Sequence, residues 1–167
     1  MEAVVAVYSD WGIGAGGTQP VVVRADRKHF RAVTGDAAVI VGRRTLADFP
    51  GGRPLPGRHN IVLTRQALEI PGAEVVHSPE EAAAAAKARG RCFVIGGASV
   101  YAQLYPWLTR VYVTKIDALP VSDSFFPDLD AAGDWTVTED GPWQDENGVR
   151  FRFLTYERDM TDESCRD

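Results

Sequence analysis

The sequence predicts a single α/β domain in which a mostly parallel central sheet has helices on both faces and an antiparallel hairpin at the C-terminal end. Three observations favour this class. Apolar, β-branched stretches without polar alternation recur along the chain, as in strands that are buried on both faces. Stretches with helical spacing or capping residues alternate with them. Residues 149–153 alternate apolar and polar side chains after the turn sequence Asn147-Gly148, which indicates a hairpin.

Length and composition limit the classes of function. The 167 residues are 45% hydrophobic and 25% charged, which is typical of one globular domain, and we expect it at residues 1–160 with an acidic tail at 161–167. The net charge of −5 argues against a nucleic-acid binder. The N-terminal apolar stretch lacks a basic region before it and is short, so we expect it to be neither a signal peptide nor a membrane span. With only Cys92 and Cys165, the sequence predicts no disulfide framework, no metal site and a reducing compartment, the cytoplasm.

The first strand, at residues 3–8, is followed by a glycine-rich segment. Gly12, Gly14 and Gly17 have the spacing of a dinucleotide fingerprint, but that fingerprint needs its third glycine inside a helix. Pro20 and three consecutive valines follow instead and disfavour a helix. The segment therefore predicts a long, mobile loop beside a site, or else a plain surface loop.

A helix is predicted at residues 26–34, ended by Gly35. Asp26, Phe30 and Val33 have the i, i+4, i+7 spacing of one helix face, so the carboxylate falls on the stripe that faces inward. Two interpretations of Asp26 stay open: a ligand-binding carboxylate, and an N-cap that satisfies its own helix.

Two later strands end in glycine and arginine. Residues 37–41 form a buried strand that leads through Gly42 into a short helix headed by Arg43 and Arg44, and residues 61–64 form another that ends at Arg65. Arginine opposes the dipole at a helix start, so a bound anion explains it better. Because ligands of open α/β sheets lie at the carboxyl ends of strands, we expect these arginines beside a ligand.

The second half of the chain supplies scaffold and one further junction. Ser78, Pro79 and Glu81 are capping residues of an alanine-rich helix to residue 89, which follows a short strand at 75–76. Residues 92–95 form a strand that turns through Gly96-Gly97 into a helix. Backbone N–H groups at such a junction suit a phosphate, although a tight turn without ligand is the open alternative. Strands at 110–116 and 135–138 follow.

These segments together resemble dihydrofolate reductase. The matching segments have the family's order and spacing to about residue 160: residues 4–14, Ala25-Asp26 with Phe30, and residues 39–45, 52–64, 94–101, 112–117 and 126–128. The resemblance implies NADPH-dependent reduction of 7,8-dihydrofolate to 5,6,7,8-tetrahydrofolate, by hydride transfer to pterin C6 with protonation of N5. It also implies a monomer whose partners are small molecules.

The resemblance assigns the site residues. Asp26 is the catalytic residue, which holds the pterin's amino group and ring nitrogen with support from Thr114, while Arg58 binds the carboxylate of the glutamate tail. The implied substrate-binding set is Val4, Asp26, Phe30, Arg53, Arg58 and Thr114. The implied NADPH-binding set is Ala6, Ile13, Gly14, Arg43, Arg44, Thr45, Leu63, Thr64, Arg65, Gly96, Gly97, Ala98, Ser99, Val100 and Tyr101. Arg43 and Arg65 would face the 2′-phosphate, and the loop at residues 11–19 would close over the nicotinamide.

Two positions depart from the family pattern. Val21 stands where a tryptophan near the pterin is common, and Arg24 stands where proline is frequent. We therefore expect altered folate affinity and antifolate response. Two alternative functions stay open: a reductase of the same fold that acts on a pyrimidine of riboflavin synthesis, and a non-catalytic binder of pterins or nucleotides.

Overall fold

A computed structural model describes residues 1–159, so the predicted acidic tail at 161–167 lies outside the described residues. The strands are β1 (Glu2–Val7), β2 (Gly12–Gly14), β3 (Ala38–Gly42), β4 (Asn60–Leu63), β5 (Ala73–Val76), β6 (Cys92–Val94), β7 (Arg110–Ile116), β8 (Ser124–Phe125), β9 (Trp135–Asp140), β10 (Gln144–Glu146) and β11 (Val149–Arg158). The α-helices are α1 (Arg24–Thr34), α2 (Arg43–Ala47), α3 (Pro79–Arg89) and α4 (Ala98–Leu104). The predicted fold class is confirmed.

One sheet organises the molecule, in the order β10-β11-β7-β1-β6-β3-β4-β5, with β9 also paired to β11. The strands from β7 to β5 are parallel, and β11 runs antiparallel to β7. The first strand of the chain is central: Ala3 lies opposite Val94 on one side and Val111 on the other. The hairpin of β10 and β11 thus extends one edge of a parallel sheet.

The helices cover both faces of this sheet. Side chains of successive strand residues point to opposite faces, so neighbouring residues of β1 pack against different helices. Val5 and Val7 pack into a core cluster with α3 and α4. Ala6 packs into a second cluster that contains Ala25 of α1. Leu46 of α2 packs into a third cluster, against strand residues of β3 and β4. None of the helices within residues 1–159 is long and apolar enough to cross a bilayer.

Most element boundaries agree with the sequence prediction to within two residues. The capping of α3 is confirmed, because the Ser78 hydroxyl accepts the Glu81 N–H at 3.1 Å. The prediction of a continuous loop after β1 is wrong in part. Gly12 and Gly14 form β2, which pairs with β8, a short strand that the sequence analysis did not find. Backbone pairing between segments more than 100 residues apart has no local signal.

Candidate active site

A cavity of about 1400 Å³ opens at the carboxyl ends of β1, β3, β4 and β6. Its two ends differ in chemistry, and we call them the carboxylate half and the glycine half. The carboxylate half contains Val4, Asp26 and Phe30, and the glycine half contains the two strand–glycine–helix junctions together with Arg65. All fifteen residues of the predicted NADPH-binding set line this cavity.

Asp26 is held on the sheet side of α1 rather than at its cap. The N-cap position belongs to Val23, so the N-cap interpretation of Asp26 is wrong. One carboxylate oxygen, Oδ1, accepts the hydroxyl proton of Thr114 at 2.6 Å. Thr114 is a fully buried residue of β7, so it fixes the carboxylate from behind while Asp26 itself faces the cavity.

The surroundings of Asp26 favour its neutral form. Burial raises the pKa of this carboxyl above its ordinary value, and the Thr114 hydrogen bond and the nearby His29 act in the opposite direction. His29 stacks on Phe153 with ring centroids 3.9 Å apart, and its Nε2 is buried without a hydrogen-bond partner in the described chain. Burial lowers the pKa of His29, against the effect of Asp26. Asp26 is therefore a partly desolvated acid, and the histidine near it, which does not line the cavity, is held towards its neutral form.

The two glycine junctions of the glycine half touch each other. The Gly42 N–H donates to the Gly96 carbonyl at 2.8 Å. A Cβ on Gly42 would come within 2.9 Å of Val100, and one on Gly97 within 3.0 Å of the Thr45 hydroxyl. Gly96 has φ +120°, which L side chains rarely adopt, and its peptide bond to Gly97 is cis. The junctions therefore leave backbone open to a ligand at a place where larger residues do not fit.

Positive charge surrounds these glycines. Arg43, Arg44 and Arg65 are exposed and line the cavity, and no carboxylate of residues 1–159 lies within ion-pair distance of them. Clustered arginines without carboxylate partners repel one another and attract anions, because guanidinium groups match the geometry of phosphate oxygens. The glycine half can thus bind a multiply charged phosphate ligand.

The glycine-rich segment forms one wall of the cavity and is hydrogen-bonded to Asp123, more than 100 residues later in the chain. The Gly16 N–H donates to Oδ2 of Asp123 at 2.9 Å, and the Asp123 N–H donates to the Gly14 carbonyl at 3.0 Å. The Gly16 hydrogen bond lowers the pKa of Asp123. Gly16 and Thr18 belong to the loop at residues 11–19 that was predicted beside the site, and both line the cavity. Asp123 and Ser124 line it as well and were not predicted, because the β2–β8 pairing that places them there has no sequence motif.

Three residues of the predicted substrate-binding set do not line this cavity: Arg53, Arg58 and Thr114. Thr114 lies behind Asp26, as described. Arg58 donates to the Thr34 hydroxyl at the end of α1 at 2.7 Å, and its guanidinium carbon lies 6.0 Å from the centroid of the Phe30 ring. Arg53 is exposed in the loop before β4. Gln19, the last residue of the predicted loop, also lines the cavity, as do four residues that were not predicted: Val22, Asp48, Gln66 and Gln103.

The fold and site define a class: an α/β enzyme in which a cradle for a phosphorylated nucleotide lies beside a half-buried carboxylate. A family model described as dihydrofolate reductase matches residues 1–158. The dihydrofolate reductase of Mycobacterium tuberculosis is 42% identical over 152 residues, which are 87% of this chain and 90% of that protein. That of Bacillus subtilis is 35% identical over 149 residues and covers 87% of each chain.

A solved structure agrees. The dihydrofolate reductase of Enterococcus faecalis, complexed with NADP(H) and RAB-propyl, has a TM-score of 0.83 at 32% identity and covers 96% of each chain. The chain belongs to the dihydrofolate reductase family. The resemblance found in the sequence is confirmed.

Proposed function

We propose that this protein reduces 7,8-dihydrofolate to 5,6,7,8-tetrahydrofolate with NADPH, and that Asp26 is its catalytic residue. One observation carries the proposal: a partly desolvated carboxylate, fixed by Thr114, shares one cavity with paired glycine junctions and arginines that lack carboxylate partners. Family membership and the NADP(H) complex of the Enterococcus faecalis relative support the same activity and cofactor.

The glycine half fits NADPH. Gly96, Gly97 and the start of α4 would hold the pyrophosphate, together with Arg44 and Thr45, because a Cβ at Gly97 would occupy the space beside Thr45. The remaining two cavity arginines, Arg43 and Arg65, would hold the 2′-phosphate and favour NADPH over NADH. NADPH, when bound, supplies the hydride that C6 of the pterin accepts.

The carboxylate half would hold the pterin. Ionised Asp26 accepts two donors at once, the pterin's amino group and a ring nitrogen, and Thr114 keeps the carboxylate in one orientation. Val4 and Phe30 line the same part of the cavity and would pack on the ring. N5 must gain a proton for the reduction to be complete. Asp26 would polarise the ring and favour that protonation, with water delivering the proton.

Arg58 would bind the carboxylate of the substrate's tail, and Arg53 is the other arginine of the predicted substrate-binding set. Its position supports this role, because its guanidinium stands over Phe30 at the end of α1, and Nε is buried without a hydrogen-bond partner in the described chain. A buried, unpaired guanidinium nitrogen is costly, and an incoming carboxylate would satisfy it.

Val21 stands where the resemblance places a tryptophan near the pterin, but its side chain packs with Tyr8 and Ala6 and does not line the cavity. It has no side-chain donor, and its backbone N–H and carbonyl are both bonded to the Tyr8 hydroxyl, at 3.1 and 2.8 Å. A tryptophan at this position would bring an indole N–H and a flat surface. We therefore expect weaker folate binding and a different antifolate response than in relatives that have the tryptophan.

The direct test is to give purified protein NADPH and dihydrofolate and to follow NADPH oxidation. The expected result is turnover that requires both compounds. Tight NADPH binding without turnover would instead indicate a non-catalytic binder. Turnover of a phosphorylated aminopyrimidine, but not of dihydrofolate, would indicate the reductase of riboflavin synthesis.

We further infer that the protein works as a cytoplasmic monomer without nucleic-acid partners. Both halves of the cavity lie within one chain, the net charge is −5, and the thiol of Cys92 is buried and unpaired in the described chain. Sedimentation analysis tests the monomer, and a shift in sedimentation on addition of duplex DNA or RNA would contradict the last point.

A further inference from the structure

The first turn of α1 carries Asp26 but has no side-chain cap of its own. Its N-cap residue is Val23, which has no polar side-chain atom. The first N–H groups of a helix have no partner within the helix. The Asp26 N–H donates to the Val23 carbonyl at 3.2 Å. The donors that need an outside partner are therefore those of Arg24 and Ala25.

A carboxylate from the other end of the chain accepts both donors. Oε2 of Glu146 lies 2.6 Å from the backbone nitrogen of Arg24, and Oε1 lies 3.1 Å from that of Ala25. Each oxygen takes one N–H, so the contact fixes the helix start in distance and in direction. The negative charge also lies at the positive end of the helix dipole. Glu146 is thus the cap that α1 lacks locally.

The hairpin of β10 and β11 is also connected to Asp26 through the sheet. Glu146 ends β10 and lies opposite Val149 of β11. Further along β11, Phe153 lies opposite Thr114 of β7, whose hydroxyl is bonded to Asp26. Strand β11 therefore lies beside β7, which carries the threonine that orients Asp26. Glu146, at the end of β10, binds the backbone of α1, the helix that carries Asp26.

We propose that Glu146 is a positioning residue for the reaction: by capping α1 from the hairpin, it sets where Asp26 meets the pterin. This inference rests on the function proposed above for Asp26. Arg24 belongs to the arrangement, because its backbone N–H is the nearer of the two donors that Glu146 accepts. A proline at residue 24 would have no N–H to donate.

The test compares Glu146→Ala and Glu146→Gln with the unmodified protein, well below the unfolding temperature. For Glu146→Ala we expect kcat to fall about tenfold and the KM for dihydrofolate to rise, because small displacements of a reacting group are costly, while the Kd of NADPH stays unchanged. Glu146→Gln keeps one oxygen that can accept a hydrogen bond, so its kcat and KM should lie between those of Glu146→Ala and the unmodified protein. Amide hydrogen exchange at residues 24 and 25 should become faster in both variants.

Glu139→Gln is the matched control. Glu139 is an exposed carboxylate on the neighbouring strand β9, and its side chain makes no hydrogen bond to the described part of the chain. We expect its kcat, KM values and amide exchange to equal those of the unmodified protein.

A second variant tests the coupling directly. Arg24→Pro removes one of the two donors, and Val23 already has the extended backbone, φ −119° and ψ 138°, that a following proline requires. In this background Glu146→Ala should reduce kcat only about threefold, because a single N–H remains for Glu146 to accept. Arg24→Pro also starts the helix without Glu146, so the double variant is informative even if Glu146→Ala alone folds poorly.

Two results would overturn the inference. One is a normal kcat and dihydrofolate KM in Glu146→Ala, even with a lower melting temperature, because Glu146 would then only stabilise the fold. The other is an equal loss of kcat and NADPH affinity. Asp26→Asn, assayed alongside, separates the proposals. If it keeps turnover, the proposed role of Asp26 has failed; if it loses turnover while Glu146→Ala does not, only the role of Glu146 has failed.

Discussion

The two halves of the cavity meet their ligands by opposite physical means. In the glycine half, exposed arginines and open backbone present positive charge to solvent, and several groups share the work. In the carboxylate half, one half-buried acid and one hydrogen bond carry the recognition. Where several solvated charges bind one ligand, removing one of them lowers the affinity for that ligand only in part. A single, partly desolvated group such as Asp26 has no neighbour that can replace it. Mutations should therefore separate the halves cleanly.

The largest effect is expected from Asp26→Asn. The amide cannot carry the negative charge that favours protonation at N5, so turnover should fall at least about 100-fold, in the range typical of lost acid–base catalysis. NADPH affinity, measured by fluorescence titration, should stay nearly intact because the glycine half is unchanged. Equal losses of turnover and NADPH affinity would mean that the two halves are not separate.

Arg65→Ala should act on the other half. Removing one guanidinium from the 2′-phosphate costs a charge-assisted contact, so the Kd of NADPH should rise about 30-fold while that of NADH changes little. Arg89→Ala, at the end of α3, is the control with the same loss of charge away from the cavity. An equal effect of Arg65→Ala on both cofactors would remove Arg65 from the 2′-phosphate site.

Thr114→Val keeps the shape behind Asp26 but deletes the hydroxyl that donates to it. Since that hydrogen bond lowers the pKa of Asp26, its loss should raise the pKa of the carboxyl further. Carbon-13 NMR of the labelled carboxyl would follow the titration, and the KM for dihydrofolate should rise several-fold. Thr155→Val, a buried threonine of β11, should leave the titration in place.

The smallest expected effect concerns stability. Burial raises the pKa of Asp26 in the folded state, so folding disfavours the ionised carboxyl and the cost appears as the pH rises through the folded-state pKa. Asp26→Asn should therefore stabilise the protein by about 1 kcal/mol at pH 7, because the amide has no charge to desolvate. The gain should vanish below the ordinary carboxyl pKa of 3.8, where Asp26 is neutral in both states. Urea unfolding at both pH values measures this.

How far the sequence predicts the molecule differs between these regions. The glycine half is local in sequence: each junction is a buried strand, a glycine and a helix start within about ten residues, so periodicity and turn chemistry are enough to find it. Arg43, Arg65 and Gly97 all line the cavity as predicted.

The carboxylate half is assembled from distant segments. Helical spacing placed Asp26 on the inward face, but Thr114 was assigned only by the family resemblance. The helix begins two residues earlier than predicted, at Arg24, because its cap comes from Glu146 rather than from a neighbouring residue. Likewise, Asp123 reaches Gly16 only through the pairing of β2 with β8. Such contacts depend on topology, which local patterns do not encode.

The central position of β1 bears on how the protein is made. This strand is synthesised well before both its neighbours, because β6 and β7 begin about ninety residues or more later in the chain. During translation β1 therefore stays unpaired until most of the chain has left the ribosome. Pairing between strands so far apart in the sequence slows folding. Nascent chains arrested before β6 should consequently be prone to aggregate, and chaperone demand should end only once β11 has closed the far side of β7.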